Sequence, residues 1–426
     1  MPAPAFSFLH AADIHLDSPL RGLARRGAQA AAFLDASRRA LENLVEAAIS
    51  QRVAFLLIAG DVYDSDWKDY ATGQVFVRQM GRLARAGIRV FVIRGNHDAA
   101  STMSRDLPLP ENVHLFPDTR AETVRLPDFE VALHGRGFPN RAVPENVART
   151  YPAAVAGAFN IGLLHTSLTG REGHNTYAPC TVEELAGAGY DYWALGHIHR
   201  REVVLQHPAI VFPGNLQGRH ARETGPKGAT LVQVAGGRIT GMEALTLDAA
   251  RFEHAVIDLA GVGDEAEIAL RARAAIAAAV SGAEGRPLAL RLSFSGETPL
   301  HAHLVATAGQ VGEEMQAHAY EVSADVLIEK VRLDTRAPRT RGEPAVAGFD
   351  AILAEVAADP DFRADIAAIL ADLRSKTPAE ALDLMERGVA DALRPEEADL
   401  EAVLAAARDE ILSGLCDVAP DAEAGR

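Results

Sequence analysis

The chain has 426 residues, which exceeds the usual size of a single domain, so two or three domains are expected. Its hydrophobic content of 48% and its 35 glycines are typical of a globular protein with a large core. The formal net charge is −16, and −12 of it falls between Ala347 and Arg426, which disfavours nucleic acid as a ligand of that end but not of the remaining chain.

Neither export nor membrane insertion is predicted. The start "MPAPAFSFLHAADIHL" has no basic segment followed by a long apolar one, as a signal peptide would. No run approaches the ~18 uncharged apolar residues that a membrane-spanning helix needs. Cys180 and Cys416 lie far apart in unlike contexts, which argues against a disulfide framework and a cysteine zinc site. We therefore expect a cytoplasmic protein that makes no membrane contact.

The first part of the chain, residues 1–246, alternates short apolar runs with amphipathic stretches. Six runs predict strands: "FSFLHA", "VAFLLIAG", "RVFVIRG", "VALHGRG", "NIGLLHT" and "YWALGH". Helical patterns cover Ala28 to Gln51 and Tyr70 to Ala86, and strands with glycine-rich turns dominate beyond Gly196. This order predicts a layered α/β domain.

The second part of the chain predicts smaller units. Residues 250–333 read as strand, helix, strand, helix and strand, which indicates a small α+β module. Residues 334–346 contain "DTRAPRTRGEP" and are predicted to be a linker. Residues 347–415 carry Ala and Leu at helical spacings, and the tail 416–426 is predicted to be disordered.

Polar side chains with metal-binding chemistry follow the predicted strands. Asp13 and His15 stand two residues apart, as do His197 and His199, so each pair faces one side of a strand end. The full set of candidates is Asp13, His15, Asp61, Asp64, Asn96, His97, His165, His197 and His199. Carboxylates, imidazoles and an amide oxygen together suit two divalent first-row ions, and a bridging carboxylate such as Asp61 would hold the two ions close together.

These motifs resemble a known family. Asp-x-His, Gly-Asp-x-x-Asp, Gly-Asn-His-Asp, a single His and Gly-His-x-His, in this order, are similar to the calcineurin-like metallophosphoesterases over roughly the first 245 residues. Within that family, "HAADIHLDSP" and "PGNLQGRHARETGPKGATLV" resemble the SbcD-type DNA repair exonuclease subunits of the YhaO branch. The resemblance implies a layered β-sandwich flanked by helices, followed by a cap module that binds DNA.

The resemblance also implies residue roles. Asp13, His15, Asp61 and His199 would hold a first ion, and Asp61, Asn96, His165 and His197 a second one. Mn²⁺ is the expected metal, with Fe²⁺ or Zn²⁺ as alternatives. A hydroxide activated by both ions would attack phosphorus. His97 would meet the scissile phosphate and protonate the leaving alkoxide, and Asp64 would orient His97 and keep it charged.

The implied function is a metal-dependent DNA exonuclease with some endonuclease character, acting in DNA repair. Its implied partner is an SbcC-like coiled-coil ATPase that docks on the helical region 347–415, and a homodimer is compatible with the resemblance. Two alternatives stay open. One is a cyclic-nucleotide or small-molecule phosphodiesterase on the same metal centre, which the ligand motifs do not distinguish. The other is a non-catalytic scaffold, against which the complete ligand set argues. Substrate-binding residues outside the metal site are not identified by the sequence.

Overall fold

The computed structural model describes residues 4–20, 23, 30–64, 70–100, 108–168, 177–338 and 344–376, with single residues near the C-terminus at 400, 403–404, 407–408 and 411. The chain divides into two compact units, residues 1–257 with 269–293 and 312–332, and residues 258–268 with 294–311 and 333–426. The predicted tail 416–426 and most of the predicted helical region beyond 376 lie outside the described residues.

The strands are numbered here in chain order. They are β1 Phe6–Ala11, β2 Phe55–Ala59, β3 Arg89–Ile93, β4 Val113–Leu115, β5 Glu122–Leu126, β6 Val131–Gly135, β7 Phe159–His165, β8 Tyr192–Gly196, β9 Glu202–Gln206, β10 Ala209–Phe212, β11 Gly228–Ala235, β12 Arg238–Thr246, β13 Arg251–Asp258, β14 Leu288–Glu297 and β15 Val326–Arg336.

The α-helices are numbered in the same way. They are α1 Ala31–Leu34, α2 Ala36–Ser50, α3 Tyr70–Arg85, α4 Asn96–Ala100, α5 Val182–Gly187, α6 Glu265–Gly282, α7 His301–Ala306, α8 Ala308–Val322, α9 Pro344–Ala358 and α10 Pro360–Lys376. None of these helices is long and apolar enough to cross a membrane.

Two six-stranded mixed sheets form the first part of the chain. The first sheet has the order β12-β11-β1-β2-β3-β4, in which β1 to β4 run parallel and β11 is antiparallel to β1. The second has the order β5-β6-β7-β8-β10-β9, in which β6, β7, β8 and β10 run parallel. A third sheet, of three strands, has the order β13-β14-β15.

Three apolar layers fix the arrangement of the two large sheets. Between the sheets lies a fully buried cluster that includes Phe55 and Phe91 of the first sheet and Leu163 and Tyr192 of the second. The outer face of the first sheet packs on helices α2 and α3. The outer face of the second sheet packs on α5, with Trp193 fully buried there. Because both faces of the central strands are buried, these strands read as continuous apolar runs in the sequence.

The predicted fold class is therefore confirmed: the chain has a mixed α/β fold of two large sheets flanked by helices, with helices near the C-terminus. The structure differs from the expectation in detail. The helix predicted to run from Ala28 to Gln51 is interrupted at Asp35, which separates α1 from α2. Strands β4 and β5 were not predicted, because neither "VHL" nor "ETVRL" forms an apolar run.

Candidate metal centre

All of the predicted site residues lie at the carboxyl ends of parallel strands. Asp13 and His15 follow β1, Asp61 and Asp64 follow β2, and Asn96 and His97 open helix α4 after β3. In the second sheet, His165 ends β7, while His197 and His199 follow β8. Since the carboxyl ends of neighbouring parallel strands meet at one edge of a sheet, the two sheets together bring these residues to one place.

The backbone of this edge is strained at the residues that carry the polar groups. Asp13, His15, Asp61 and His197 have positive φ values of 50°, 45°, 52° and 99°. Such values cost free energy in residues other than glycine, and they persist only where the surrounding structure holds them. Backbone hydrogen bonds help to stabilise this conformation: the N–H groups of Asp13 and His15 donate to the carbonyl oxygens of Gly60 and Asp61 at 3.0 Å each.

Close backbone approach explains Gly95 in "IRGNHD". A side-chain carbon at this position would lie 2.7 Å from the Asp61 backbone nitrogen and would overlap the Asp61 carboxylate. Gly95 therefore lets the turns after β2 and β3 come together, so that Asn96 and Asp61 can face the same point.

The first cluster contains Asp13, His15 and His199, whose ligand atoms all lie within 4.8 Å of one another. The Nε2 atoms of His15 and His199 are 3.2 Å apart, and His199 Nε2 lies 3.8 Å from Asp13 Oδ1. Burial, with the charge of Arg219, lowers the pKa of His15 well below its ordinary value. The imidazole of His15 is therefore neutral, which is the state that binds metals.

The second cluster contains Asp61, His165 and His197, again within 4.8 Å of one another, and Asn96 adjoins it. His165 Nδ1 donates to the Ala59 carbonyl oxygen at 2.9 Å. Its Nε2 atom then faces Asn96 Oδ1 at 2.9 Å and Asp61 Oδ2 at 3.4 Å.

This arrangement around His165 fits a bound cation. A neutral imidazole that donates through Nδ1 has only a lone pair on Nε2, and that lone pair faces two oxygen atoms. Positive charge is therefore needed between His165 Nε2 and these two oxygen atoms. Burial lowers the pKa of His165, but the Asp61 carboxylate, together with Asp13 and the Ala59 carbonyl, more than compensates and raises the pKa to about 9. A divalent ion would meet the same demand as that proton.

Asp61 connects the two clusters. Its Oδ2 atom lies 3.4 Å from His165 Nε2 and 3.8 Å from His15 Nε2. Burial alone raises the pKa of Asp61, yet the neighbouring histidines, first His165, hold this pKa well below its ordinary range. Asp61 is thus an ionised carboxylate between two groups of imidazoles, which is the position of a bridging ligand.

His97 and Asp64 form a hydrogen-bonded pair beside the first cluster, and their ligand atoms lie within 4.8 Å of that of His15. Asp64 Oδ1 lies 3.0 Å from His97 Nδ1, and Ser18 Oγ donates to Asp64 Oδ2 at 2.7 Å. Burial lowers the pKa of His97, but the hydrogen bond to Asp64 and the charges of Asp61 and Asp64 together outweigh that effect, so the pKa lies above its ordinary value. The pair therefore favours the imidazolium form of His97.

Three residues at the site were missed in the sequence. Glu223 is 7% exposed and accepts from His199 Nδ1 at 2.6 Å. Arg219 Nη1 lies 3.6 Å from Asp64 Oδ2. Asp98 is buried, where it accepts from the backbone N–H groups of Val62, Tyr63 and Gly95 at 3.2, 2.9 and 3.0 Å.

Burial, followed by the charge of Asp61, raises the pKa of Asp98 to about 6. Asp98 was detectable in the sequence as the last residue of Gly-Asn-His-Asp. Glu223 and Arg219 stand in the quoted segment "GRHARETGPKG" without strand-end spacing, so no pattern singled them out.

Comparisons with known proteins give two family matches and several relatives. Residues 6–201 match the family Calcineurin-like phosphoesterase, and residues 252–336 match the family Metallophosphoesterase YhaO, middle domain. The chain is 33% identical over 377 residues to "Uncharacterized metallophosphoesterase YhaO" of Bacillus subtilis, which covers 86% of this chain and 90% of that protein.

More distant relatives carry a name that refers to DNA. The "DNA double-strand break repair protein Mre11" of Methanopyrus kandleri is 24% identical over 62% of this chain and 62% of its own length. The protein of the same name from Sulfurisphaera tokodaii is 26% identical over 46% of this chain and 52% of its own length. The 33% identity over nearly the whole chain is sufficient for a family assignment, and this chain belongs to the calcineurin-like metallophosphoesterases that carry a YhaO middle domain.

Proposed function

We propose that this protein is a metal-dependent DNA nuclease that hydrolyses phosphodiester bonds, with exonuclease and some endonuclease activity in DNA repair. The observation that carries the proposal is the position of Asp61, whose carboxylate lies between His15 of one cluster and His165 of the other. Beside this pair of clusters lies the imidazole of His97, which is hydrogen-bonded to Asp64.

The ligand assignment follows the two clusters. Asp13, His15, Asp61 and His199 would hold the first ion, and Asp61, Asn96, His165 and His197 the second. Imidazole, carboxylate and amide ligands together suit Mn²⁺ better than Mg²⁺, and Fe²⁺ and Zn²⁺ are compatible with the same set. When bound, two such ions supply Lewis acidity and lower the pKa of a coordinated water.

His97 supplies the proton for the leaving group in this proposal. The 3′ or 5′ alkoxide released from DNA is a strong base, so it departs readily only if it is protonated. Asp64 raises the pKa of His97 through a hydrogen bond, and the backbone N–H of His97 donates to Asp61 Oδ1 at 2.9 Å, which fixes the imidazole beside the clusters. The pair can thus deliver a proton at a defined place.

DNA is proposed as the substrate because of the relatives and the size of the chain. The Mre11 relatives are named for double-strand break repair. The region beyond residue 246 contains a three-stranded sheet and further helices, which a small-molecule phosphodiesterase does not need. We place the protein in the cytoplasm, where DNA is accessible and the buried thiol of Cys180 would stay reduced.

An SbcC-like coiled-coil ATPase is the proposed partner, docked on the helices that start at Pro344. Helices α9 and α10 expose Phe349, Ile352, Val356, Ile369 and Leu373 between 38% and 55%. Exposed apolar side chains at helical spacing are typical of a helix that packs on another protein. The surrounding acidic residues would repel the phosphates of DNA, which disfavours DNA binding by these two helices.

Substrate preference tests the enzyme proposal. The kcat/KM of the full chain with Mn²⁺ should be measured on linear duplex DNA and on bis-p-nitrophenyl phosphate. A DNA nuclease should cleave both and prefer DNA by orders of magnitude. Cleavage of the small diester or of cyclic nucleotides without DNA cleavage would favour the small-molecule enzyme, and metal binding without any turnover would favour the scaffold.

Deletion of residues 345–426 tests the partner proposal. The shortened protein should bind metal and cleave small diesters as the full chain does, while it loses co-purification with the ATPase and stimulation by ATP. Continued co-purification with the ATPase would show that the partner docks elsewhere.

A further inference from the structure

Glu223 lies directly behind His199, on the side of the ring that faces away from the first cluster. Its Oε1 atom is 2.6 Å from His199 Nδ1. The opposite ring atom, Nε2, lies 3.2 Å from His15 Nε2 and 3.8 Å from Asp13 Oδ1. The ring of His199 therefore stands between a buried carboxylate and the cluster.

The carboxylate of Glu223 is itself held rigidly. Its Oε2 atom accepts from Asn215 Nδ2 at 2.9 Å and from the backbone N–H of Arg219 at 2.8 Å. The guanidinium of Arg219 lies 3.4 Å from Oε1. Both carboxylate oxygens are thus used, and the loop that carries Glu223 cannot turn this side chain away from His199 without breaking several hydrogen bonds.

Two groups contact His199 Nδ1: the Glu223 carboxylate at 2.6 Å and Arg219 Nη2, which can only donate, at 3.2 Å. The shorter contact, to Glu223, decides which nitrogen of His199 carries the proton. A carboxylate accepts only, so a neutral His199 places its proton on Nδ1 and its lone pair on Nε2. The lone pair then points into the first cluster. A carboxylate behind the ring also makes the imidazole a better electron donor, as is common for histidines that bind metals.

We propose that Glu223 is a positioning residue, which fixes the tautomer and orientation of His199 for the first ion. The inference rests on the proposed function in one respect, since it requires His199 to be a ligand. The guanidinium of Arg219 lies close to the carboxylates of both Glu223 and Asp64. Its positive charge therefore lowers the free-energy cost of burying these two carboxylates.

A purely structural role of Glu223 is the competing explanation. The same carboxylate ties Asn215 and Arg219 into one loop, so its removal could weaken the fold without any effect through His199. A double-mutant cycle separates the two explanations, because a positioning effect requires His199 to be present.

The experiment measures Mn²⁺ binding to the metal-free full chain, by calorimetry and by loss of the EPR signal of free Mn²⁺. It compares the wild type, Glu223→Gln, His199→Ala and the double variant, so it needs no enzymatic turnover. Glu223→Gln should lower the affinity for one of the two Mn²⁺ ions roughly 10–100-fold, which is the usual effect of removing the hydrogen-bond partner of a metal-binding histidine. In the His199→Ala background the same substitution should change affinity less than about twofold.

Glu329→Gln is the matched control. Glu329 is a largely buried carboxylate that binds Arg291 through both oxygens at 2.8 Å, and its substitution should leave both Mn²⁺ affinities unchanged. Thermal unfolding of each metal-free variant measures the structural cost separately.

An equal loss of affinity from Glu223→Gln in both backgrounds, or no loss in either, would overturn the positioning role. Unchanged Mn²⁺ affinity in His199→Ala alone would instead overturn the assignment of His199 as a ligand, and this inference with it.

Discussion

The imidazole of His97 is joined to the carboxylate of Asp64 by a hydrogen bond of 3.0 Å between Nδ1 and Oδ1. Ser18 and Arg219 contact the other oxygen of Asp64 at 2.7 and 3.6 Å, so the carboxylate has little freedom to move away from the imidazole of His97. Because Asp64 raises the pKa of His97, the pair should be the source of an acidic group in the pH dependence of the reaction.

The first prediction concerns that pH dependence. A general acid must be protonated, so the rate falls as the pH rises through the pKa of His97. Asp64→Asn removes a hydrogen-bonded charge that raises this pKa, so the descending limb of the profile of kcat/KM should move to lower pH. A lower rate with an unmoved limb would contradict the role of Asp64.

The second prediction concerns His97 itself. His97→Asn should retain both ions and lower DNA cleavage by about 10²–10⁴-fold, the usual range for a lost general acid. The loss should be much smaller with bis-p-nitrophenyl phosphate, because p-nitrophenolate leaves without a proton. An equal loss on both substrates would indicate that His97 positions the phosphate rather than protonating the leaving group.

The third prediction compares two proposed ligands by metal content. Asp61 lies near histidines of both clusters, whereas His15 belongs to one. Asp61→Ala should therefore weaken the binding of both ions, whereas His15→Ala should weaken mainly the binding of one. Metal analysis after equilibrium dialysis at several Mn²⁺ concentrations measures this, and an identical loss of a single ion in the two variants would exclude the bridge.

The fourth prediction uses two glycines. Gly95→Ala would place a carbon against Asp61, so it should cost about 1–3 kcal/mol of the free energy of unfolding and lower the Mn²⁺ affinity. The control is Gly81→Ala within α3, where the added carbon would meet only Arg85 NH1 at 3.9 Å. That substitution should stabilise the protein by about 0.5–1 kcal/mol and leave Mn²⁺ affinity unchanged. Denaturant unfolding measures both, and equal effects would refute the close approach at Gly95.

The central strands were predictable from the sequence because burial on both faces leaves a plain apolar run. "FLLIA" and "VALHG" are fully buried in the structure, and their positions agree with the prediction. The break at Asp35 between α1 and α2 was not predictable, since no proline or glycine marks it.

The residues of the candidate site could likewise be predicted only in part. The candidate ligands at strand ends were predictable because the order of strands and polar groups is visible along the chain. Glu223 was not found, because its importance comes from a loop that folds back to the ring of His199, 24 residues away, and no local spacing encodes that contact.

The most direct test of the proposed function is cleavage of end-labelled single- and double-stranded DNA by the purified full chain with Mn²⁺. The wild type should shorten the labelled strands in the presence of Mn²⁺ and stop when EDTA is added, and Asp61→Ala should be inactive at the same protein concentration. Intact DNA with the metal-loaded wild type, or equal cleavage by wild type and Asp61→Ala, would contradict the account.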